Sequence, residues 1–577
     1  MTDRPVQPSI PPRVGPIARY GPVSLVLAAI VATLAFVQFS DRAPAGEGAS
    51  RLAATVAKPE AGERLVLPDG VMSWPVAARD GIADQISWGD RCDTATGLLK
   101  LPQLPRSDCF RPFVGDNGGA TTPGVTADEI RIVIYQPMRD DPVLKFIYDQ
   151  IGNSDSIDDS FATSKGFVEI FNRYYELYGR KVVLEQFVAS GPISDATSAV
   201  ADAETIARDI RPFFVIGGPQ MTPAFADTLA ANQVMCISCA AGQTAKWYAD
   251  RAPYVWDVLK NADQGQQMLA EYLGKRLWNR PAEYAGDAAM HTRTRVFGFI
   301  HVATSDATVE LRDRFLADLK DNYDMTVAAV QSYASPVDLT GSGKDIITKM
   351  KEAGVTTVVF SGDPLGPQYL TKIATEQDFF PEWVLGVTQL VDTTVFSRTY
   401  DQRQWAHAFG PSNLFVRMPS SVAGPGHLYR WYFGEDPPAG TNVQLLAGPL
   451  QVIYGALQGV GPNVTPEMFE AVLFGAPIIP STLVSAQVSF GDRGVFPDPD
   501  YAGLDDQVEV WWDPEATGMS EVGTEGTGMW RYVDSGKRYL LGSWPRTEPK
   551  LFDRSNAIVE FTKAPPGADI PDYAPLR

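Results

Sequence analysis

The feature that most constrains the fold is a regular alternation of short apolar segments and longer amphipathic segments, which runs through residues 130–386. The apolar segments have strand length, and the segments between them carry apolar residues at helical spacing. The predicted strands cover residues 130–136, 181–188, 213–216, 234–237, 295–301, 326–333, 356–360 and 382–386. Continuous apolar strands separated by helices are typical of parallel sheets covered on both faces. Two successive runs of this kind predict an α/β fold with two lobes.

The loops that follow these strands are the predicted place for a ligand, because ligands of such sheets bind outside the carboxyl ends of the strands. These loops are small, rich in hydroxyl groups or rich in glycine, and several precede a predicted helix. A helix N-terminus offers free N–H groups and the positive end of a dipole. The simpler interpretation of any single loop is that Gly, Ser, Thr and Asp form turns and cap helices.

Composition excludes several classes of protein. The 577 residues carry a formal net charge of -20, and the sequence has no basic patch with which such an acidic chain could bind nucleic acid. A content of 45% hydrophobic and 20% charged residues excludes disorder and a polytopic membrane protein. The four histidines are scattered, and neither G-x-S-x-G nor H-E-x-x-H occurs, so we expect no enzyme, no cofactor and no metal site.

Two further segments have less specific interpretations. The acidic segment 498–506 offers oxygen ligands without the spacing of a calcium-binding loop, so we expect an acidic loop on the surface. The aromatic run 427–433 could stack on a ring or a sugar, but aromatic residues at helical spacing more often belong to a core.

An apolar stretch at residues 23–39 indicates export from the cytoplasm. Arginines within residues 1–22 predict a cytoplasmic N-terminal tail and an extracytoplasmic location for the rest of the chain. The stretch is at the short end of what a membrane-spanning helix needs. We expect an uncleaved anchor, with a signal peptide cleaved near Ala45 or a buried soluble helix as alternatives. Residues 40–80 are expected to form a flexible stalk.

Export permits disulfide bonds, and the four cysteines fall into two close pairs. Cys92 and Cys109 flank a proline-containing loop, and a bond between them would pin a small cap at residues 81–124. Cys236 and Cys239 form a C-x-x-C motif without a second such motif and without histidines at ligand spacing. A structural disulfide or two buried thiols are therefore expected there rather than zinc or redox chemistry.

Several motifs occur in a characteristic order along the chain. They are GVTADEIRIVIY (124–135), RPFFVIGG (211–218), NQVMCISCAA (232–241), KMKEAGVTTVVFSG (349–362) and GALQGVGPNVTPEMFEAVL (455–473). In this order they resemble the type I periplasmic solute-binding proteins of ABC transporters, in the branch similar to Leu/Ile/Val-binding receptors. The ending GKRYLLGSWP (536–545) resembles that of long members of actinobacterial type.

The resemblance implies a protein whose two lobes close on a small solute and offer it to a membrane permease. It places lobe 1 at residues 125–254, lobe 2 at 255–387, a return to lobe 1 at 388–475 with an insertion at 405–440, and a C-terminal segment at 476–577 mostly on lobe 2. The ligand contacts that it implies are Gln136, Gly217, Gly218, Thr222, Ala240, Ala241 and Gly242 from lobe 1, and Ser305, Asp306, Ser361, Asp363, Thr388 and Gln389 from lobe 2.

Departures from the family pattern bear on the ligand. Gly242 stands where amino-acid binders usually have a hydroxyl residue, and Asp306, Asp363 and Gln389 stand where aromatic and acidic residues are usual. Asp363 retains the ability to hold an ammonium group. The resemblance therefore implies a small polar or amphipathic solute rather than specifically a branched-chain amino acid. The alternative function is a ligand-sensing or scaffolding ectodomain of a membrane complex without a transport role.

Overall fold

The computed structural model describes residues 67–68, 70–240, 242–387 and 390–577. The predicted cytoplasmic tail, the predicted anchor at 23–39 and most of the predicted stalk lie outside the described residues. Within the described ranges, no helix has both the length and the apolar character needed to span a bilayer. These ranges form a small cap and two α/β lobes.

The cap precedes the first lobe and contains a disulfide bond. Its elements are helix α1 (Trp74–Arg79) and the short antiparallel strands β1 (Cys92–Asp93) and β2 (Leu98–Leu99). Cys92 and Cys109 form the predicted disulfide bond, with an S–S distance of 1.97 Å. Trp88 and Leu101 of the cap are buried within the same apolar cluster as the strands of lobe 1. The cap therefore packs directly on lobe 1.

Lobe 1 contains a five-stranded parallel sheet with the order β4-β3-β5-β6-β7. Its strands are β3 (Glu129–Gln136), β4 (Lys181–Val188), β5 (Phe214–Ile216), β6 (Met235–Ile237) and β7 (Val255–Trp256). Its first helices are α2 (Pro142–Ile151), α3 (Ile157–Tyr174), α4 (Ala196–Thr205), α5 (Ala224–Ala231) and α6 (Ala245–Ala249). Ile132 and Val133 are successive and fully buried, since helices cover both faces of the sheet.

Helix α3 begins earlier than the apolar periodicity predicts. That periodicity predicts a helix over 164–178, whereas the helix starts at Ile157 and ends at Tyr174. The side chain of Ser156 accepts a hydrogen bond from the N–H of Asp159, and the carboxylate of Asp159 accepts one from the N–H of Ser156. This capping box stabilises a polar first turn that lies outside the apolar stripe.

Lobe 2 contains a larger sheet whose main path is β16-β14-β13-β12-β11-β10-β8-β9, with β15 paired to β13. Its parallel strands are β8 (Phe297–Val302), β9 (Ala329–Tyr333), β10 (Thr357–Ser361), β11 (Glu382–Leu385) and β12 (Ala408–Ser412). Its helices are α7 (Ala262–Tyr272), α8 (Asp306–Tyr323), α9 (Leu339–Glu352), α10 (Gly366–Glu376), α11 (Thr394–Ser397) and α12 (Gln402–Trp405). The predicted parallel strands are confirmed in this lobe.

An antiparallel extension of the lobe 2 sheet was not predicted. Its strands are β13 (Asp506–Met519), β14 (Glu525–Val533), β15 (Arg538–Leu540) and β16 (Ala557–Ile558). Strand β13 runs antiparallel to β12 and pairs with β14. Trp512 and Trp530 lie opposite each other in that pairing, with ring centroids 5.4 Å apart. Such cross-strand aromatic pairs stabilise an antiparallel ladder.

Three helices between the two parts of lobe 2 belong to lobe 1. They are α13 (Pro425–Phe433), α14 (Val443–Val460) and α15 (Pro466–Gly475). Leu428 and Tyr429 of α13 are buried in the core of lobe 1, so the aromatic run at 427–433 is part of that core. Helix α14 packs on α3, where the Tyr454 hydroxyl donates to Asn172 Oδ1 at 2.9 Å.

The C-terminal residues reach the cap and lobe 1. The hydroxyl of Tyr573 donates to Asp93 Oδ2 of the cap at 2.8 Å, and the indole of Trp431 in lobe 1 donates to the main-chain oxygen of Tyr573 at 2.6 Å. The N–H of Leu576 donates to the hydroxyl of Tyr174 at 2.8 Å. The chain therefore ends against lobe 1 after leaving β16 in lobe 2.

Candidate functional site

Three crossovers connect the two lobes before the C-terminal segment returns from β16 to lobe 1. The first, residues 257–261, leads from the carboxyl end of β7 in lobe 1 to α7 in lobe 2. The second, residues 413–424, leads from the carboxyl end of β12 in lobe 2 to α13 in lobe 1. The third, residues 502–505, leads from lobe 1 into β13. Because the first two start at carboxyl ends of parallel strands, these ends of both sheets border the cleft between the lobes.

A buried polar cluster joins the three crossovers. The ammonium group of Lys260 donates to Asn413 Oδ1 at 3.0 Å and to the main-chain oxygen of Asp506 at 2.6 Å. Asp506 also accepts a hydrogen bond from the guanidinium of Arg538 at 2.8 Å. Burial lowers the pKa of Lys260 well below its usual value. The cluster therefore ties together the segments about which the lobes would rotate.

The expectation of an acidic surface loop at 498–506 is wrong. Asp500 and Asp505 are buried, because this segment enters the region where the crossovers converge. Burial raises the pKa of Asp500 to about 9 and that of Asp505 to about 6. Asp505 Oδ2 accepts hydrogen bonds from Ser489 Oγ at 2.7 Å and from Gln487 Nε2 at 2.9 Å. Within the described ranges, no group of His, Cys, Asp or Glu side chains is arranged to hold a metal ion.

Gln136 ends β3 at the predicted edge of the sheet, but its amide is used within lobe 1. Its Nε2 donates to the main-chain oxygen of Ile157 at 2.6 Å, and its Oε1 accepts a hydrogen bond from Gln186. These contacts tie β3 to β4 and to the first turn of α3. The side chain is buried and fixes the sheet edge on which the loops stand.

Gly217 and Gly218 lie in the loop after β5, where this loop closely approaches the loop after β6. Gly217 has a φ of +82°, which favours glycine. A Cβ atom at Gly218 would lie 2.5 Å from the main-chain oxygen of Cys239. Cys239 is bonded to Cys236, with an S–S distance of 1.97 Å, so the C-x-x-C motif forms a disulfide rather than two thiols. Only glycine fits at position 218 without moving one of the loops.

The remaining predicted residues of lobe 1 lie at the same edge of the sheet. Thr222 Oγ1 accepts a hydrogen bond from the N–H of Ala224 at 3.3 Å as α5 begins. The main-chain oxygen of Ala240 accepts one from the hydroxyl of Tyr248 at 3.0 Å. Gly242 is exposed, and no atom lies within 4 Å of the position that its Cβ would take. Ala241 lies outside the described residues.

The predicted residues of lobe 2 stand after β8, β10 and β11. Ser305 caps α8, and Asp306 is exposed in the first turn of that helix. Ser361 Oγ accepts a hydrogen bond from the N–H of Val387 at 2.9 Å, which joins the ends of β10 and β11. Thr388 and Gln389 lie outside the described residues.

Asp363 is committed to contacts within lobe 2. Its Oδ2 accepts a hydrogen bond from the hydroxyl of Tyr333 at 2.6 Å, and its Oδ1 accepts from the N–H groups of Leu365 and Gly366 at 2.9 Å each. Burial raises the pKa of Asp363 above its usual value. The carboxylate therefore stabilises the start of α10, which accounts for an Asp at this position without a ligand.

Helix α2 is an element at the cleft that the sequence analysis missed. It lies between β3 and α3, and Asp141 anchors its start to lobe 1. Asp141 Oδ1 accepts hydrogen bonds from the N–H groups of Val143 and Leu144 at 2.9 Å, and Oδ2 accepts one from the N–H of Ile193 at 2.8 Å. Asp followed by Pro142 is a helix-start signal that could have revealed the helix.

The other side of α2 contacts lobe 2. Ile147 and Ile151 pack against the apolar core of lobe 2, and a Cβ at Gly152 would lie 3.9 Å from Thr524 in the β13–β14 turn. Beyond the helix, the main-chain N–H of Asn442 in lobe 1 donates to Asp155 Oδ2 at 2.6 Å. Helix α2 is thus anchored to lobe 1 at both ends and bridges the cleft to lobe 2.

Comparisons with known proteins give matches among solved structures. No protein-family model and no curated protein matches the chain. The Leu/Ile/Val/Thr/Ala-binding protein of Brucella ovis, in a closed conformation, is 12% identical, with a TM-score of 0.50 over 73% of this chain and 98% of that chain. An ABC-transporter solute-binding protein of R. palustris in complex with 4-hydroxybenzoate is 13% identical, with a TM-score of 0.47 over 70% and 97% of the two chains.

A third similar structure is a fatty acid ABC transporter substrate-binding protein from Thermomonospora curvata. It is 14% identical, with a TM-score of 0.45 over 75% of this chain and the whole of that chain. At 12% identity, the match to the Brucella ovis protein bears on the fold alone. The chain therefore has the two-lobed α/β fold of type I periplasmic solute-binding proteins, as the sequence motifs predict.

Proposed function

We propose that this chain is an extracytoplasmic solute-binding protein that captures a small polar or amphipathic solute between its lobes for an ABC-type importer. The observation that carries the proposal is that the carboxyl ends of both parallel sheets border one cleft, because the first two crossovers start there. Loops from both lobes border one cleft there, which is where ligands of such sheets bind. Rotation about the crossovers would close the cleft on the solute without covalent chemistry.

The proposed contacts are loops rather than single catalytic groups. From lobe 1 they include the loop of Gly217 and Gly218, which closely approaches the disulfide-containing loop that leads to Ala240 and Gly242. From lobe 2 they include the start of α8 at Asp306 and the loop after β10 at Ser361. Gln136 and Asp363 stabilise the ends of the strands and helices next to these loops, through the hydrogen bonds described above.

The proposed partners are the solute, a membrane permease and the membrane itself. We propose that residues 23–39 serve as the membrane anchor, or as a signal peptide if the chain is cleaved near Ala45. Either arrangement would present the lobes outside the cytoplasm, where an importer collects its solute. A sensing or scaffolding role without transport gains no support from the fold comparison.

A thermal-unfolding screen tests the proposed function. The full chain, purified in a non-ionic detergent, would be heated with amino acids, short-chain carboxylates, amides, sugars and aromatic acids. A solute that binds only the folded state stabilises it by about 2.7 kcal/mol at a hundredfold excess over Kd. We expect at least one class of solute to raise the midpoint. Absence of any shift across the panel at millimolar concentrations would contradict solute capture.

A further inference from the structure

Exposed apolar side chains are concentrated at the cleft. Ten large apolar side chains are well exposed in the described ranges, and five of them are Phe146, Met221, Leu259, Leu390 and Phe415. Phe146 is on α2, and Met221 and Leu390 are in the loops that follow β5 and β11. Leu259 and Phe415 are in the first and second crossovers. Exposed apolar side chains on segments that border a cleft are available to contact an apolar part of a ligand.

The two lobes contribute apolar surface to similar extents. Met221 of lobe 1 is 49% exposed and Leu390 of lobe 2 is 47% exposed. Each stands at the carboxyl end of a parallel strand, on the side of its lobe that borders the cleft. Both side chains therefore have apolar area left to bury when the lobes close, and burial of that area would favour binding.

Asp363, which the sequence analysis considers as a partner for an ammonium group, already accepts hydrogen bonds within lobe 2. Both carboxylate oxygens of Asp363 accept hydrogen bonds from Tyr333 and from the first turn of α10. To hold an ammonium group, Asp363 would have to give up contacts that stabilise the start of that helix. Asp306, the other acidic residue among the proposed contacts of lobe 2, is exposed in the first turn of α8.

We propose that the solute has a large apolar portion, and that Met221 and Leu390 contact this portion when the lobes close. The inference rests on the proposed function, because it requires a solute in the cleft. It narrows the solute to amphipathic or apolar molecules.

The test compares three probes on the full chain by isothermal titration calorimetry. They are 4-phenylbutyrate, 4-phenylbutanol, which keeps the apolar part without the carboxylate, and L-leucine. We expect at least one phenylbutyl probe to bind more tightly than L-leucine. The double variant Met221→Ser/Leu390→Ser should bind that probe about tenfold more weakly, because two apolar contacts are lost.

Val114→Ser is the matched control. Val114 is 94% exposed in the cap, next to Phe113, whose N–H donates to Glu176 beyond the C-terminal end of α3 and away from the carboxyl ends of the strands, so its replacement should leave the affinity unchanged. An equal loss in this variant would show non-specific association and overturn the assignment of Met221 and Leu390. Unchanged affinity in the double variant would also overturn this assignment.

The remaining outcomes separate the inference from the proposed function. Tighter binding of L-leucine than of both phenylbutyl probes would overturn the proposed solute class and leave solute capture standing. Binding of none of the probes, together with no response in the wider thermal screen, would contradict both.

Discussion

The ammonium nitrogen of Lys260 lies 2.6 Å from the main-chain oxygen of Asp506 and donates a hydrogen bond to it. Lys260 belongs to the first crossover, and Asp506 begins β13 directly after the third. The same nitrogen reaches Asn413 in the second crossover at 3.0 Å. One buried amine therefore ties the first two crossovers to the residue that follows the third.

Replacing Lys260 by Met should destabilise the protein. The oxygens of Asn413 and Asp506 would lose a close donor inside the protein, and such losses cost about 1–3 kcal/mol of unfolding free energy. Urea unfolding followed by tryptophan fluorescence measures the change. The matched control is Lys344→Met on the exposed side of α9, which should leave the unfolding free energy nearly unchanged. Equal stability of the two variants would contradict a structural role for Lys260.

Asp500 should make stability depend on pH. Burial, followed by the charge of Asp505, raises its pKa to about 9, while the N–H of Ala502 and the charge of Arg493 oppose the shift. Between about pH 3.9, the usual value for Asp, and pH 9, the folded chain keeps a proton that the unfolded chain releases. The contribution of Asp500 to the unfolding free energy is therefore present at low pH and lost as the pH rises through this window.

The variant Asp500→Asn removes this contribution. Its stability relative to the wild type should increase from pH 4 to pH 9 by more than about 1.4 kcal/mol, the equivalent of one pKa unit. Urea titrations at a series of pH values measure the difference. The exposed Asp498→Asn in the same segment is the control and should give a difference that is independent of pH. A stability difference between Asp500→Asn and the wild type that does not change with pH would contradict the prediction.

Adding a methyl group at Gly218 should disturb the candidate site. In Gly218→Ala the new Cβ would lie 2.5 Å from the main-chain oxygen of Cys239, whose loop is held by a disulfide, so one loop must move. We expect a loss of about 1–3 kcal/mol in stability and weaker solute binding, measured by thermal unfolding and calorimetry. The control is Gly448→Ala in α14, where the added Cβ would have no neighbouring atom within 4 Å. This variant should be as stable as the wild type or more stable, because alanine favours a helix more than glycine does.

Weakening the contact of α2 with lobe 2 should open the cleft without any solute. The variant Ile147→Ser/Ile151→Ser removes the side chains that pack on the core of lobe 2. Spin labels on Ser190→Cys in lobe 1 and Asp306→Cys in lobe 2 report the separation of the lobes. The described residues contain no free cysteine, so the two new thiols are the intended labelling sites. We expect a shift of the distance distribution to longer values.

The control for this measurement is Gln150→Ser, an exposed position on the same helix. It should leave the distances unchanged. If the isoleucine double variant and this control give the same distribution, α2 does not hold the lobes together.

Neutralising Glu382 should strongly destabilise lobe 2. Arg295 and Glu382 form a fully buried, bidentate ion pair with N–O distances of 2.7 and 2.9 Å, and Thr357 donates to the same carboxylate. Glu382→Gln would leave the buried charge of Arg295 without its partner, at a cost of about 3–5 kcal/mol. Asp324→Asn, which breaks the exposed pair with Lys320, is the control and should cause little change in urea unfolding. Equal small changes in both would contradict the prediction.

The parallel strands were predictable because their burial shows in their own residues, without knowledge of distant segments. Strands such as β3 and β10 are covered by helices on both faces, so they appear as continuous apolar runs whatever their neighbours. The antiparallel strands β13 and β14 were not predicted. Strand β13 mixes acidic, aromatic and glycine residues, and its fold depends on pairing with β12, which lies far away in the sequence.

The candidate site was predictable in outline only. Sequence motifs placed the predicted contacts in loops, and the structure places Gly218 and Ser361 at the carboxyl ends of strands. The motifs did not reveal that Gln136 and Asp363 make their hydrogen bonds within their own lobes, because the partners Gln186 and Tyr333 come from other strands. Helix α2 was missed because none of its residues is buried within lobe 1, so its helical signal is short and its partner is the other lobe.

The sequence by itself determined the two-lobed α/β fold, the two pairs of cysteines and the loops that border the cleft, since each depends on local patterns or close spacing. Only the tertiary structure decided that residues 500–506 of the acidic segment are buried and that Lys260 links the crossovers. The physical reason is that burial of a charged group depends on which distant segments converge on it. A local pattern of carboxylates is the same whether it faces water or the junction between two lobes.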